Sequence, residues 1–92
     1  MDDDSRLEAV RLLTAVAGRA ASRPWWESVD QILIALERAW VADQARPFHQ
    51  AMTELYSAAQ DRGTDAASQP TVPPPPPVRD RLVDLIHQIG PK

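Results

Sequence analysis

The apolar residues of the chain recur at the three- and four-residue spacing of α-helices, and no segment alternates with the period of two that a half-buried strand requires. We therefore predict an all-α fold, a small three- to four-helix bundle with a proline-rich linker before the last helix. A body over residues 1–63 carries helices at about 5–21, 24–42 and 44–61, residues 64–77 form the linker, and residues 78–90 form a C-terminal amphipathic helix.

Capping signals mark the predicted helix starts. The segment Ser5-Arg6-Leu7-Glu8 has the form of a capping box, and the aspartates before it favour the positive end of the helix dipole. Pro24 suits the first position of the second helix, which makes Arg23 its cap residue. Asp43 can cap the third helix.

Prolines affect two further segments. Pro47 leaves two starts open for the third helix, directly after an Asp43 cap or at Arg46 or later, because its ring removes one early hydrogen bond. The run Pro73–Pro77 is expected to adopt polyproline II over about 15 Å, at roughly 3.1 Å per residue. The linker should therefore be semi-rigid where it meets the last helix.

Each predicted helix carries one apolar stripe. The stripes are Leu7, Val10, Leu13, Val16, Ala17 and Ala20; Trp26, Val29, Ile32, Leu33, Leu36 and Trp40; Phe48, Met52, Leu55, Tyr56 and Ala59; and Val78, Leu82, Leu85, Ile86 and Ile89. A helix of about 12 residues is marginal alone in water, so the last stripe must be covered by the body or by another protein. We favour the body, because a body of this length forms only a small core.

Two adjacent tryptophans cannot both face one helix stripe. We assign Trp26, together with Trp40, to the core. Trp25 then either folds over a neighbouring helix end or serves as an interface anchor for a partner.

Candidate chemistry is sparse. The chain has no cysteine and no phosphate-binding, zinc-protease or nucleophile-elbow motif. His49 and His87 stand without a second ligand at metal-binding spacing, and Asp80 and Asp84 lie beside arginines as on a solvated helix face. We therefore expect no enzymatic activity, no catalytic residue, no cofactor and no metal.

Charge and hydropathy limit the partners. A net charge of -3 does not suit nucleic acid or an anionic membrane. No apolar run approaches the roughly 18 residues of a membrane span, and Met1–Asp4 lacks the basic region of a signal peptide. We expect a cytoplasmic protein with a protein partner, and a homodimer is an open alternative.

Two segments resemble a known family. They are Ile34–Leu55 (IALERAWVADQARPFHQAMTEL) and Pro76–Ile89 (PPVRDRLVDLIHQI), where a proline break precedes Arg79, Arg81, Leu82, Leu85, Ile86 and His87 in that order. In this order of features the chain resembles the CATRA-associated small proteins, which are short companions of caspase and tetratricopeptide-repeat associated proteins in bacterial conflict systems. The resemblance implies an accessory component of a larger effector assembly, with no activity of its own.

The leading hypothesis is thus a non-enzymatic protein-interaction or adaptor module. Its candidate partner-binding residues are Trp25, Arg79, Arg81, Leu82, Leu85, Ile86 and Ile89. The alternative is an antitoxin-like inhibitor whose C-terminal helix docks on a toxin or enzyme partner. A helix-turn-helix transcription factor is the third hypothesis, and the acidic charge argues against it.

Overall fold

The computed structural model describes residues 2–60 and 70–90. The predicted all-α class is confirmed: the described residues form four helices, α1 (Asp3–Ala17), α2 (Arg23–Val41), α3 (Ala45–Gln60) and α4 (Pro76–Ile89). The predicted boundary between body and linker, at residues 63 and 64, lies outside the described residues.

Helix α1 starts and ends earlier than expected. Its cap is Asp2, whose Oδ1 accepts a hydrogen bond from the Ser5 backbone N–H at 3.0 Å, so Ser5 lies inside the first turn instead of capping it. The helix ends at Ala17 and not near Ala21. The reason is that the backbone N–H and C=O of Ala21 bond to Val72, which leaves neither group available for a further helical turn.

The starts of α2 and α3 also differ by about one residue from the prediction. Ser22 caps α2, because its Oγ accepts from the Trp25 N–H at 3.4 Å, and Pro24 lies in the first turn as expected. Asp43 does not cap α3 but lies in the preceding turn with φ 55°, a left-handed conformation that Asp tolerates better than most residues. Pro47 lies in the first turn of α3, where a missing N–H breaks no helical bond.

The last helix begins inside the proline run. Pro76 and Pro77 are its first two residues, two positions before the predicted start at Val78. Their missing N–H groups cost nothing there, and their fixed φ is already helical. Pro75 precedes them with φ -59° and ψ 154°, which are polyproline II values, so only the first three prolines of the run lie outside the helix.

The order of helices around the bundle differs from the order in the chain. Helices α1 and α2 each pack against both α3 and α4, so α1 and α2 lie on opposite corners. Near the start of α1, the Arg6 guanidinium donates to the carbonyls of Ile89 and Gly90 at 3.1 and 3.4 Å. Helix α4 is therefore antiparallel to α1.

Helices α1 and α3 run parallel. At their N-terminal ends, Ser5 Oγ lies 3.0 Å from His49 Nε2. At their C-terminal ends, the Arg19 guanidinium donates to the carbonyl of Ala59. Two polar contacts thus join this pair, one at each end.

All four helices contribute to a single core. The largest fully buried side chains are Trp26, Phe48, Leu13, Leu33, Leu36, Leu55, Leu82, Leu85, Ile89, Val16 and Val29. The α4 stripe is therefore covered by the body of the same chain. Three predicted stripe residues are exposed instead: Leu7 at 44%, Tyr56 at 58%, and Ala20, which lies beyond the end of α1. Ala9 and Ala51 take core positions.

The segment before α4 is attached to the loop between α1 and α2. Val72 forms a two-bond antiparallel bridge with Ala21, with N···O distances of 2.8 and 3.0 Å. The indole Nε1 of buried Trp26 also donates to the Val72 carbonyl at 3.0 Å. These three bonds fix the residues that lead into α4.

Substitution by alanine is expected to have opposite effects on stability at Gly18 and at Gly90. A Cβ at Gly18 would meet no atom closer than 3.8 Å, whereas at Gly90 it would lie 2.5 Å from the Ile86 carbonyl oxygen. We expect Gly18→Ala to raise the free energy of unfolding by about 0.4–1 kcal/mol, because it restricts the unfolded chain. Gly90→Ala should lower it by about 1–3 kcal/mol through overpacking. Urea unfolding measures the change in the free energy of unfolding for both variants. Changes of the same sign would contradict the spacing described around one of the two glycines.

Candidate partner-binding groove

The apolar partner-binding candidates of the last helix lie in the core of their own chain. Leu82, Leu85 and Ile89 are fully buried, and Ile86 is partly buried against the same cluster. Another protein can reach the three fully buried side chains only if α4 leaves the bundle.

The two arginine candidates have different surroundings. Arg81 pairs with two carboxylates of α2, Asp30 at 2.9 Å and Glu37 at 3.6 Å, so its charge is used in contacts between α4 and α2. These side chains are about one-quarter to one-third exposed, and pairs of that kind contribute little net stability. Arg79 is exposed.

Trp25 covers the end of α3. Its Nε1 donates to the Ala58 carbonyl at 3.0 Å, and its ring meets that of Trp26 edge-on at 4.8 Å between centroids. The Arg19 guanidinium lies 4.9 Å from the Trp25 ring centroid, within cation–π range. This geometry matches the alternative in which Trp25 folds over a neighbouring helix end.

A groove opens between the parallel helices α1 and α3, and the Ser5–His49 contact borders it at one end. Its volume is about 640 Å³, and it is lined by Glu8, Arg11, Leu12, His49, Met52, Thr53 and Tyr56. Leu12 and Met52 pack on the core from their partly buried positions, and Tyr56 is mostly exposed. We call this feature the α1–α3 groove.

The rim of the α1–α3 groove carries charges of both signs. Glu8 and Arg11 are exposed, and within the described ranges 2–60 and 70–90 neither forms an ion pair. Both charges are therefore available to a partner that lies along the groove.

His49 and Ser5 border the groove as a hydrogen-bonded pair, which invites comparison with a catalytic dyad. The third member of a triad should orient the imidazole, but the Asp2 carboxylate bonds to the Ser5 backbone instead. The Ser5 hydroxyl and then its backbone N–H hold the pKa of the Asp2 carboxyl below its ordinary value. We interpret the cluster as a contact between the starts of α1 and α3.

Other kinds of site find no support in the residues that the structure describes. Over those ranges, no three His, Cys, Asp or Glu side chains gather as a metal site would need. None of the described helices combines the length and the apolar character needed to cross a bilayer.

The sequence pattern does not reveal the α1–α3 groove. Met52 and Tyr56 fall on the predicted core stripe of the third helix, and Leu12 falls on no predicted stripe. Their common role depends on α3 lying beside α1, which no local pattern encodes. The signal that could have pointed to them is the width of the apolar face of α3, since Leu55 and Tyr56 cannot both point into one core.

Comparison with known proteins identifies the family. The family model described as CATRA-Associated Small Protein matches residues 8–92. The chain belongs to the CATRA-associated small protein family. The match includes most of α1 and the pair Trp25 and Trp26, which lie outside the two segments that carry the resemblance in sequence. The chain has no significant match among curated proteins or among solved structures.

Proposed function

We propose that this CATRA-associated small protein is a non-enzymatic, cytoplasmic adaptor that binds a CATRA protein within a bacterial conflict system. The observation that carries the proposal is the family match over residues 8–92, since the family is named for this association. The partner is a larger protein that performs the chemistry of the assembly, and the small protein supplies a binding surface.

The bundle supports a preformed surface. Because α4 completes the core with three fully buried side chains, the chain needs no partner to cover its apolar stripe. A preformed surface binds with a smaller loss of conformational entropy than a segment that folds on binding. The adaptor is therefore expected to bind as an intact four-helix bundle.

The antitoxin-like alternative makes α4 the docking element. It requires Leu82, Leu85 and Ile89 to leave the core, and each such side chain contributes about 1.5–3 kcal/mol by its burial. A partner would have to offset this sum before any net binding. We therefore favour the intact bundle. Core amides of α1 and α2 that exchange faster in the complex than in the free chain, while α4 stays protected, would favour the alternative.

We expect the full chain to form a complex with the CATRA protein of the same organism when the two are co-expressed. Size-exclusion chromatography with light scattering should give one peak whose mass equals the sum of the two chains in a fixed ratio. An unrelated four-helix bundle of similar size and charge is the control. Separate elution at micromolar concentrations would contradict the proposal.

A further inference from the structure

The α1–α3 groove has no occupant among the described residues, although it exposes apolar side chains beside two unpaired charges. We propose that it receives an amphipathic helix of the CATRA partner. This inference rests on the proposed function and adds the binding surface and the chemistry of the segment that binds there.

The shape of the groove suits a helix. The Ser5–His49 contact at one end and the Arg19–Ala59 contact at the other hold α1 and α3 together, so the opening between them has fixed ends. On α3 the lining runs from His49 to Tyr56, which is about 10 Å at 1.5 Å per residue. That length is two helical turns, enough for two apolar anchors one turn apart.

The apolar lining suits large aliphatic or aromatic anchors. Leu12 and Met52 are partly buried at the groove, and Tyr56 has 58% of its surface exposed. Methionine adapts its shape to an incoming side chain, and tyrosine is enriched among residues that dominate binding energy. Covering these side chains would remove apolar surface from water on both proteins.

The charges predict the pattern and the direction of the partner helix. Asp4 lies one turn before Glu8 on the same face of α1, so this wall is acidic toward its N-terminus and basic at Arg11. The partner helix should carry a basic residue opposite Glu8 and an acidic residue opposite Arg11. A helix antiparallel to α1 and α3 places its C-terminal end, where basic residues are favoured, at the acidic end of the groove.

A strand fits the groove less well. The described lining lies on two helices, whose backbone groups are already bonded, so no sheet edge is available to an added strand.

A second copy of this chain is the other occupant to test. It would give a concentration-dependent dimer in the absence of the CATRA protein.

The test measures the affinity of the full chain for the CATRA protein by isothermal titration. We expect Tyr56→Asp and Arg11→Glu each to weaken binding by at least about tenfold. The matched controls are Val41→Asp, an exposed apolar residue at the end of α2, and Arg38→Glu, an exposed arginine of α2. Both controls should stay within about twofold of wild type, because surface changes outside an interface have small effects. Thermal melting verifies that each variant is folded.

Hydrogen exchange on the complex identifies the occupant. Protection of a helical segment of the CATRA protein, lost with Tyr56→Asp, supports the proposal. Wild-type affinity for both folded groove variants would overturn it while leaving the adaptor function intact. A dimer of the free chain that Tyr56→Asp dissociates would also overturn it, in favour of a second copy. A wild-type chain that binds no CATRA protein would instead reject the proposed function itself.

Discussion

Leu85→Asp is expected to unfold the bundle. Leu85 is fully buried in α4, and the deletion of such a side chain to Ala already costs about 2–5 kcal/mol. Aspartate adds an unpaired charge in an apolar site, which raises the cost further. The total stability of a small domain is only about 5–15 kcal/mol. Circular dichroism should therefore show loss of the cooperative melting transition, or a large fall of its midpoint.

The matched control is Val83→Asp on the same helix. Val83 is 43% exposed, so the new charge stays hydrated and the free energy of unfolding should change by no more than about 0.5 kcal/mol. Equal melting midpoints for the Leu85 and Val83 variants would mean that α4 is not part of the core in solution. The milder Leu85→Ala keeps enough folded protein for binding, and it separates a loss of folding from a loss of partner contact.

Trp26→Ala is expected to have the second largest effect, a loss of about 3–5 kcal/mol in the free energy of unfolding. Trp26 is the largest fully buried side chain, and its indole N–H bonds to the Val72 carbonyl. Its removal leaves a cavity and weakens the attachment of the segment before α4. Urea unfolding measures the loss, and the exchange rate of the Val72 amide, which bonds to Ala21, reports on the attachment.

Trp26→Phe separates packing from hydrogen bonding. Phenylalanine keeps most of the buried aromatic surface but has no N–H group to donate a hydrogen bond. The Val72 carbonyl still accepts a hydrogen bond from the Ala21 N–H at 3.0 Å. A cost of about 1–2 kcal/mol is therefore expected, near that of one net hydrogen bond plus a small cavity. If the Phe variant lost as much stability as the Ala variant, packing of the ring would not be the main contribution of Trp26.

The positions of the helices can be predicted from the sequence because each carries its own periodic stripe. Leu82, Leu85 and Ile89 mark α4 as amphipathic by their spacing alone. The neighbours of each helix cannot be predicted in this way, since one apolar stripe can pack equally well on several helices. The arrangement depends on how all four stripes fit together, and this is a property of three-dimensional packing.

The errors in the predicted bounds of α1 arise because the residues at its ends have alternative bonding partners. Asp2 and Ser5 are both good caps, and the capping-box pattern that favours Ser5 does not show that Asp2 will bond to its backbone N–H. The predicted end of α1 is too late because Ala21 favours helix by propensity but is held in extended form by Val72, a residue far away in the chain. The α1–α3 groove likewise cannot be predicted from local sequence, because only the packing of α1 beside α3 brings its lining residues together.

The pairing of α1 with α4 has a consequence for the rate of folding. The hydrogen bond from Arg6 to the Ile89 carbonyl joins residues that are 83 positions apart, so native contacts close almost the whole chain into one loop. The entropy of closing that loop must be lost before those contacts form, and proteins rich in distant contacts fold more slowly than simple helical bundles. This protein should therefore fold slowly for an all-α chain of its size, with the local α2–α3 hairpin forming first and the two terminal helices joining last.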